Sequence, residues 1–383
     1  MLIIQFKLKN TIKWCSCRMI EPYNPRIVEK QREEFWNQNP VYRLLYDRMR
    51  KQGYHFVGTT GVVKRCYWTR EAILHGRFCY KCLWYGIESH RCIQFSPTAI
   101  WCWNRCMHCW RIQPSDIGLH WDETKLPVID EPEFLVEESI RVFKHIIAGF
   151  RANPNANNSF IEEAMNPKHV AISLVGEPLL YGRLNELIKE YHKKGLTTFL
   201  VTRGVRPDIL ASLDEEPTQL YISLEAWNRD KYVEFNKPIV PKAWELIMES
   251  LELLSSMSNP TVIRITLIKG FNDNDEAING FKKIIEKSQP WYVEVKAYMY
   301  MGYSKNRLKP DNMPSHEHVR NFALKLSVET GYEYIGESIP SRVVLLSRVG
   351  EPKRHGKGCP DGVKHPEKYV PLLTQEYEEA SDD

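Results

Sequence analysis

Cys102, Cys106 and Cys109 stand at the spacing C-x3-C-x2-C, and little else in the chain leaves so few options. Thiolates are the natural ligands of iron–sulfur clusters, and a cubane cluster has four irons. Three cysteines leave one iron without a protein ligand. An open coordination position marks a chemical site, whereas a structural site is closed. Zinc is the alternative. It usually takes four closed ligands, and His108 would serve as the fourth only awkwardly, next to Cys109.

The remaining cysteines sharpen this. Seven of the ten lie between 66 and 109, and none lies between 110 and 358. Disulfide scaffolds are short and secreted, so clustering in a 383-residue chain reads as metal ligation in a reducing cytoplasm. Cys66, Cys79 and Cys92 follow C-x12-C-x12-C, enough for a second cluster, again with an open iron. Cys82 breaks the regularity. It is either a fourth ligand or a buried free thiol, and the free thiol is the commoner fate. Lys81 sits between Cys79 and Cys82. A partly desolvated lysine can lose its proton and attack a carbonyl carbon.

Net charge is +4, unevenly placed: residues 61–111 hold eight Lys/Arg against two Glu, so the rest of the chain is slightly acidic. Basic residues there alternate with Tyr67, Trp68, Tyr80, Trp84, Trp101, Trp103 and Trp110. Two readings weigh about equally. The stripe binds nucleic acid through phosphates and stacked bases, or it balances anionic clusters while the aromatics exclude water. No apolar run reaches membrane-spanning length. The N-terminus lacks the h-region and cleavage site of a signal peptide. Met19 opens a more ordinary sequence, so residues 1–18, with Cys15 and Cys17, read as an over-extended start.

Periodicity predicts helices over 28–36 and 42–49, an irregular 53–92, and a strand over 93–101 that delivers the Cys102 loop. Strands at 169–175, 197–202, 219–224, 261–268 and 292–297 then alternate with helices at 134–150, 184–194, 207–213, 243–257, 276–287 and 315–330. A polar break is expected at 153–158, and weaker strands at 332–335 and 342–346. Six such units imply a parallel sheet closed into a barrel or partial barrel. Functional residues in such a fold come from strand C-terminal ends. There stand the Cys102 loop, Gly176-Glu177-Pro178, Thr202-Arg203-Gly204, Ser223 to Ala226, Lys269 to Asn272 and Lys296 to Tyr303.

The C-x3-C-x2-C motif resembles the signature of the radical S-adenosylmethionine (SAM) superfamily. The full string C-x12-C-x12-C-x9-C-x3-C-x2-C resembles the archaeal 4-demethylwyosine synthases. So do SLVGEPLLY (173–181), FLVTRGVRP (199–207), LYISLEA (220–226), RITLIKGFN (264–272), VEVKAYMYMGYSKNRL (293–308) and DNMPSHEHV (311–319). The resemblance implies an α/β fold, a partial TIM-type (β/α)6-like barrel. It has an N-terminal helical and irregular extension carrying the second iron–sulfur site. Domains are expected as a helical extension at 1–60, the barrel with both sites at 61–350, and a polar tail at 351–383.

The implied cofactors are two 4Fe–4S clusters and SAM, with pyruvate as co-substrate. The implied substrate is phenylalanine tRNA bearing N1-methylguanosine 3′ of the anticodon, and the product base is the tricyclic 4-demethylwyosine. The reaction takes a hydrogen from the N1-methyl group, joins that carbon to pyruvate and releases the pyruvate carboxyl carbon. Cys102, Cys106 and Cys109 would hold the SAM cluster, and Cys66, Cys79 and Cys92 the auxiliary one. Gly176, Glu177, Thr202, Ser223 and Glu225 would contact SAM, with Glu177 accepting its amino group. Lys81 would form a Schiff base with pyruvate. Lys64, Arg65, Arg70, Arg77 and Arg91 are candidate RNA contacts, as is the basic 353–357 segment; Ser304 and Arg307 are weaker candidates for the reacting site. His108 stands where the family has an aromatic, Val175 where it has the first Gly of GGEP, Arg203 where it has Asn, and Glu225 where it has Asp. Electrons would come from a separate ferredoxin- or flavodoxin-type carrier, since the chain leaves no room for a flavodoxin-like domain. A cytoplasmic monomer without a membrane segment is expected. A glycyl-radical activating enzyme with an auxiliary cluster and a non-catalytic zinc RNA-binding module are the rivals.

Overall fold

In the computed structural model, residues 25–119 and 123–360 are described. Helices α1 (Pro25–Asn37) and α2 (Pro40–Lys51) lead into a hairpin of β1 (Tyr54–Val57) and β2 (Gly61–Lys64). Two short helices follow, α3 (Tyr67–His75) and α4 (Tyr80–Tyr85), then β3 (Cys92–Ser96). From there strands and helices alternate: α5 (Pro132–Ala148), α6 (Asn158–Ala164), β4 (His169–Ile172), α7 (Leu184–Lys193), β5 (Thr197–Thr202), α8 (Pro207–Ala211), β6 (Gln219–Ser223), α9 (Arg229–Asn236), α10 (Ala243–Glu252), β7 (Thr261–Leu267), α11 (Asp275–Ser288), β8 (Tyr292–Ala297) and α12 (His316–Thr330). Strands β9 (Glu333–Ser338) and β10 (Val343–Ser347) end the series.

The ten strands form one sheet in the order β1-β2-β3-β4-β5-β6-β7-β8-β10-β9. Strands β3 to β8 run parallel, and both margins are antiparallel. The parallel strands are apolar on both faces, as strands covered on both sides must be. Ile93, Val170, Leu200, Leu220, Ile263 and Val293 pack outward against the helices. Cys92, Ala171, Phe199, Tyr221, Val262 and Tyr292 face inward, where α4 contributes Tyr80, Trp84 and Tyr85. The helix therefore fills the lumen of the partial barrel. Side-chain caps fix several outer helices: Asn274 begins α11 and Ser315 begins α12, while Gly331 ends α12 in a left-handed conformation.

Four expectations are corrected. Residues 53–92 are regular; strands of four residues and helices of six to nine are too short to show a period. The strand expected over 93–101 stops at Ser96, because Pro97 has no N–H for the ladder. Cys82 is neither a free thiol nor a fourth cluster ligand: it is disulfide-bonded to Cys359. Residues 351–360 are not a detached tail. The Lys353 N–H donates to the Tyr292 hydroxyl, 2.9 Å, and the His355 N–H to the Tyr85 carbonyl, 2.8 Å, so the segment straps α4 into the lumen. Cys15, Cys17 and the chain beyond 360 lie outside the described residues. Among the described residues no helix is long and apolar enough to cross a membrane.

Candidate functional site

Because β3 to β8 are parallel, their C-terminal ends open on one face, and the cysteine loop lies across it. Backbone bonds hold this loop against α9: Arg105 N–H to the Asn236 carbonyl, 2.8 Å, and Met107 N–H to the Phe235 carbonyl, 2.9 Å. Arg307, beyond β8, bonds the Cys109 and Met107 carbonyls and pairs with Asp116. It clamps the loop. Ser304 is buried in its own turn, bonded to the Met301 carbonyl at 2.6 Å and to Tyr298 at 2.9 Å.

Gly176 and Glu177 pack beneath this loop. Gly176 has φ +69°, and a Cβ there would lie 2.5–2.8 Å from Thr98 and the Trp101 carbonyl. The Glu177 carboxylate is fully buried and accepts from Thr202 Oγ1 (2.5 Å), Arg203 N–H (3.0 Å) and Leu179 N–H (3.1 Å). Burial raises its pKa against those bonds. Its charge reaches Cys102, whose thiol is pushed up to about 12, chiefly by burial.

Glu225, two residues past the end of β6, is also fully buried. Its carboxylate pairs with the Arg203 guanidinium, and its Oε1 lies 3.3 Å from His108 Nε2. Arg203 Nη2 is 2.9 Å from the same imidazole nitrogen, and Nη1 donates to the Ser223 carbonyl at 3.3 Å. Burial works against the Glu225 charge, yet Arg203 and His108 hold its pKa down to about 2. The unusual residues at 108, 203 and 225 are thus one contact network beside Cys106.

Cys66 and Cys79 stand immediately before α3 and α4, as their N-cap residues. Cys92 opens β3. Burial raises the pKa of Cys66, Cys92, Cys102 and Cys106, and other thiols of the same trio add to the rise. Lys81 projects into the lumen, 4.5 Å from the Tyr221 ring and 5.0 Å from that of Phe199. Burial and then Arg264 lower its pKa, opposed by Glu294, Cys79 and Cys92.

Sequence reasoning placed Lys296 at a strand end but missed Arg264 and Glu294, the other charges around this lysine. Glu294 accepts from Tyr80 (3.0 Å) and Tyr85 (2.9 Å) and pairs with Arg264 at 2.8 Å. Lys296 donates to the Ser341 carbonyl at 2.6 Å, its pKa lowered to about 8, first by burial and then by Arg264. Their signal was a charged residue inside an apolar strand, as in VIRITL and VEVKA.

Each of the basic candidates has a partner within the chain. Arg70 and Arg77 both pair with buried Glu71, and Arg91 pairs with Glu88 at 2.9 Å. Lys64 is buried over the Tyr54 ring, and Arg65 lies against Phe150. In the 353–357 segment Arg354 donates to the Leu83 carbonyl.

Six free cysteines in two partly buried trios fit two clusters with open irons. A single zinc would draw its sulfurs to within about 4 Å of one another. Among the described residues the group that brings three ligand atoms within 4.8 Å is Glu88, His90 and Glu163, not either cysteine trio.

The comparisons agree with this chemistry. Residues 96–279 match the Radical SAM superfamily and residues 287–348 match Wyosine base formation. The chain is 45% identical to an S-adenosyl-L-methionine-dependent tRNA 4-demethylwyosine synthase of Pyrococcus abyssi, covering 78% of this chain and 87% of that one. It is 42% identical to the Methanocaldococcus jannaschii synthase, covering 79% and 95%. Among solved structures it resembles TYW1 with a lysine–pyruvate adduct bound, at 38% identity and TM-score 0.72 over 82% of this chain and 97% of that one. Archaeal TYW1 matches at 36% identity and TM-score 0.65, over 80% and 95%. With the radical SAM fold, the open cysteine face and these relatives in place, the chain belongs to the S-adenosyl-L-methionine-dependent tRNA 4-demethylwyosine synthases.

Proposed function

We propose that this chain condenses pyruvate with N1-methylguanosine 3′ of the anticodon in phenylalanine tRNA, forming 4-demethylwyosine. The observation that carries the reading is Lys81, held in the lumen among Cys79, Cys92 and the Arg264–Glu294 pair. A solved relative at 38% identity holds a lysine–pyruvate adduct. Cys102, Cys106 and Cys109 would ligate the SAM cluster, and Cys66, Cys79 and Cys92 an auxiliary 4Fe–4S cluster. When bound at the first trio, a reduced cluster would supply the electron for cleavage of SAM and so the oxidant for the methyl group. Glu177, acceptor-only and buried, suits the SAM amino group. Lys81 attacks the pyruvate keto carbon and expels water, and the aromatic rings of Phe199 and Tyr221 keep bulk water from the imine. A ferredoxin- or flavodoxin-type donor and a monomeric, cytoplasmic enzyme complete the proposal.

Borohydride reduction of the anaerobically reconstituted enzyme with labelled pyruvate tests it. Label should attach to Lys81 in the wild type and not in Lys81→Ala. The variant should still yield 5′-deoxyadenosine from SAM but no tricyclic base, because the electrophile is lost and the oxidant is not. Wild-type amounts of product from Lys81→Ala would refute the Schiff-base role. Stoichiometric zinc with no SAM cleavage would refute the enzyme.

A further inference from the structure

A cavity of about 320 Å³ opens next to the segments that carry Cys66 and Cys109, and neither Lys81 nor the Glu177 and Glu225 carboxylates line it. Its walls include Tyr54, Lys64, Trp110, Arg111, Tyr303 and Lys305. Trp110 and Arg111 directly follow Cys109, and Lys64 lies two residues before Cys66. The volume is at the small end of the range for small-ligand sites.

The chemistry of the lining is specific. Arg111 is 7% exposed, stacks 3.3 Å from the Trp110 ring centroid, and donates to the Tyr54 hydroxyl at 2.5 Å. Its Nε is buried without a hydrogen-bond partner, and among the described residues no carboxylate pairs with it. A buried guanidinium left in that state is costly, so an anion or a polar ligand edge belongs in front of it. Lys64, also 7% exposed, adds a second buried cation over the Tyr54 ring at 4.9 Å. Tyr303 and Lys305 come from the segment beyond β8. That segment is fixed: the Tyr303 N–H donates to the Trp110 carbonyl at 3.0 Å, and a Cβ on Gly302 would overlap the same carbonyl.

Aromatic faces, a stacked guanidinium and flanking cations are what a single extruded nucleotide requires. Bases stack on aromatic and guanidinium planes, and phosphates pair with Lys and Arg. We propose that this cavity takes one nucleotide drawn out of a stacked RNA loop, its base against Tyr303 and the Trp110–Arg111 stack and its phosphate against Lys64 and Lys305. The proposal rests on the RNA-modifying reading above and assigns the place where the substrate base enters.

The probe is an RNA stem–loop with 2-aminopurine 3′ of the anticodon, whose fluorescence rises when the base leaves its stack. It is titrated into the reconstituted full-length protein. The wild type should bind with a rise in fluorescence. Tyr303→Ala should lose the rise and bind about ten-fold more weakly. Lys305→Ala should bind more weakly with a salt slope lower by about one. A stem–loop with an abasic residue at that position should bind the wild type and Tyr303→Ala alike. Equal loss on the abasic loop would make Tyr303 a structural support and overturn the proposal. Wild-type affinity and slope in both variants would overturn it as well, while leaving the enzyme reading intact if product still forms. A shift in cluster absorption in Arg111→Gln with unchanged RNA binding would assign Arg111 to cluster charge balance and overturn it. A wild type that binds no RNA would instead sink the RNA-modifying reading itself.

Discussion

His108, Arg203 and Glu225 depart one by one from the family pattern, yet they share one buried network. Removing one member strands the others: Arg203→Asn should cost about 3–5 kcal/mol, since a buried carboxylate loses its counter-charge. The triple change His108→Phe, Arg203→Asn and Glu225→Asp should recover most of that loss. Urea denaturation followed by circular dichroism checks this, and additive losses would show three independent sites. The same pair sets an acid limit. The folded Glu225 pKa of about 2 lies below its ordinary 4.5, so its stabilisation is full above pH 4.5 and lost as pH falls toward 2. Glu225→Gln should therefore lose less stability than the wild type between pH 4.5 and 2, measured from urea midpoints.

Among the elements, the loop after β4 shows how little room the cofactor face has. Gly176→Ala should cost about 1–3 kcal/mol, from positive φ and from overlap with Thr98 and Trp101. The displaced Cys102 loop should then bind less iron at the SAM site, measured as iron per chain and thermal midpoint. The six parallel strands were legible because their β-branched runs end in polar or glycine residues, as VTRG and ISLE do. The cysteine trios were legible from spacing alone. The β1–β2 hairpin and helices α3 and α4 were not, because they are shorter than one reliable period. The lumen charges were also hidden: Arg264 and Glu294 occupy strand positions where an alternating charge ordinarily means solvent. Only the closure of the sheet around α4 turns those positions inward. The pairing of Arg70, Arg77 and Arg91 was hidden for a related reason: Glu71 and Glu88 are close in sequence, but the burial of those carboxylates is tertiary.

For the molecule as a whole, Glu294 is the joint between the barrel wall and the helix inside it. It gathers Tyr80 and Tyr85 from α4 and Arg264 from β7. Glu294→Gln should cost about 3–5 kcal/mol, because Arg264 and Lys81 would stay buried without their counter-charge. It should also loosen α4, and with it Cys79. Iron should fall from about eight per chain toward four, while the Cys102 trio stays loaded. Loss of both clusters together would show that the two sites do not assemble separately.

The strap over α4 carries a consequence for how the protein is made. Tyr80 waits for Glu294, 214 residues later in the chain, and Tyr85 waits for His355. At about 5–20 residues per second, the ribosome leaves roughly ten to forty seconds between making α4 and making its carboxylate partner. Cys66 and Cys79 therefore leave the exit tunnel long before the walls around them exist. The auxiliary cluster proposed for them would belong to the completed chain, and their thiols stay open to oxidants through most of synthesis.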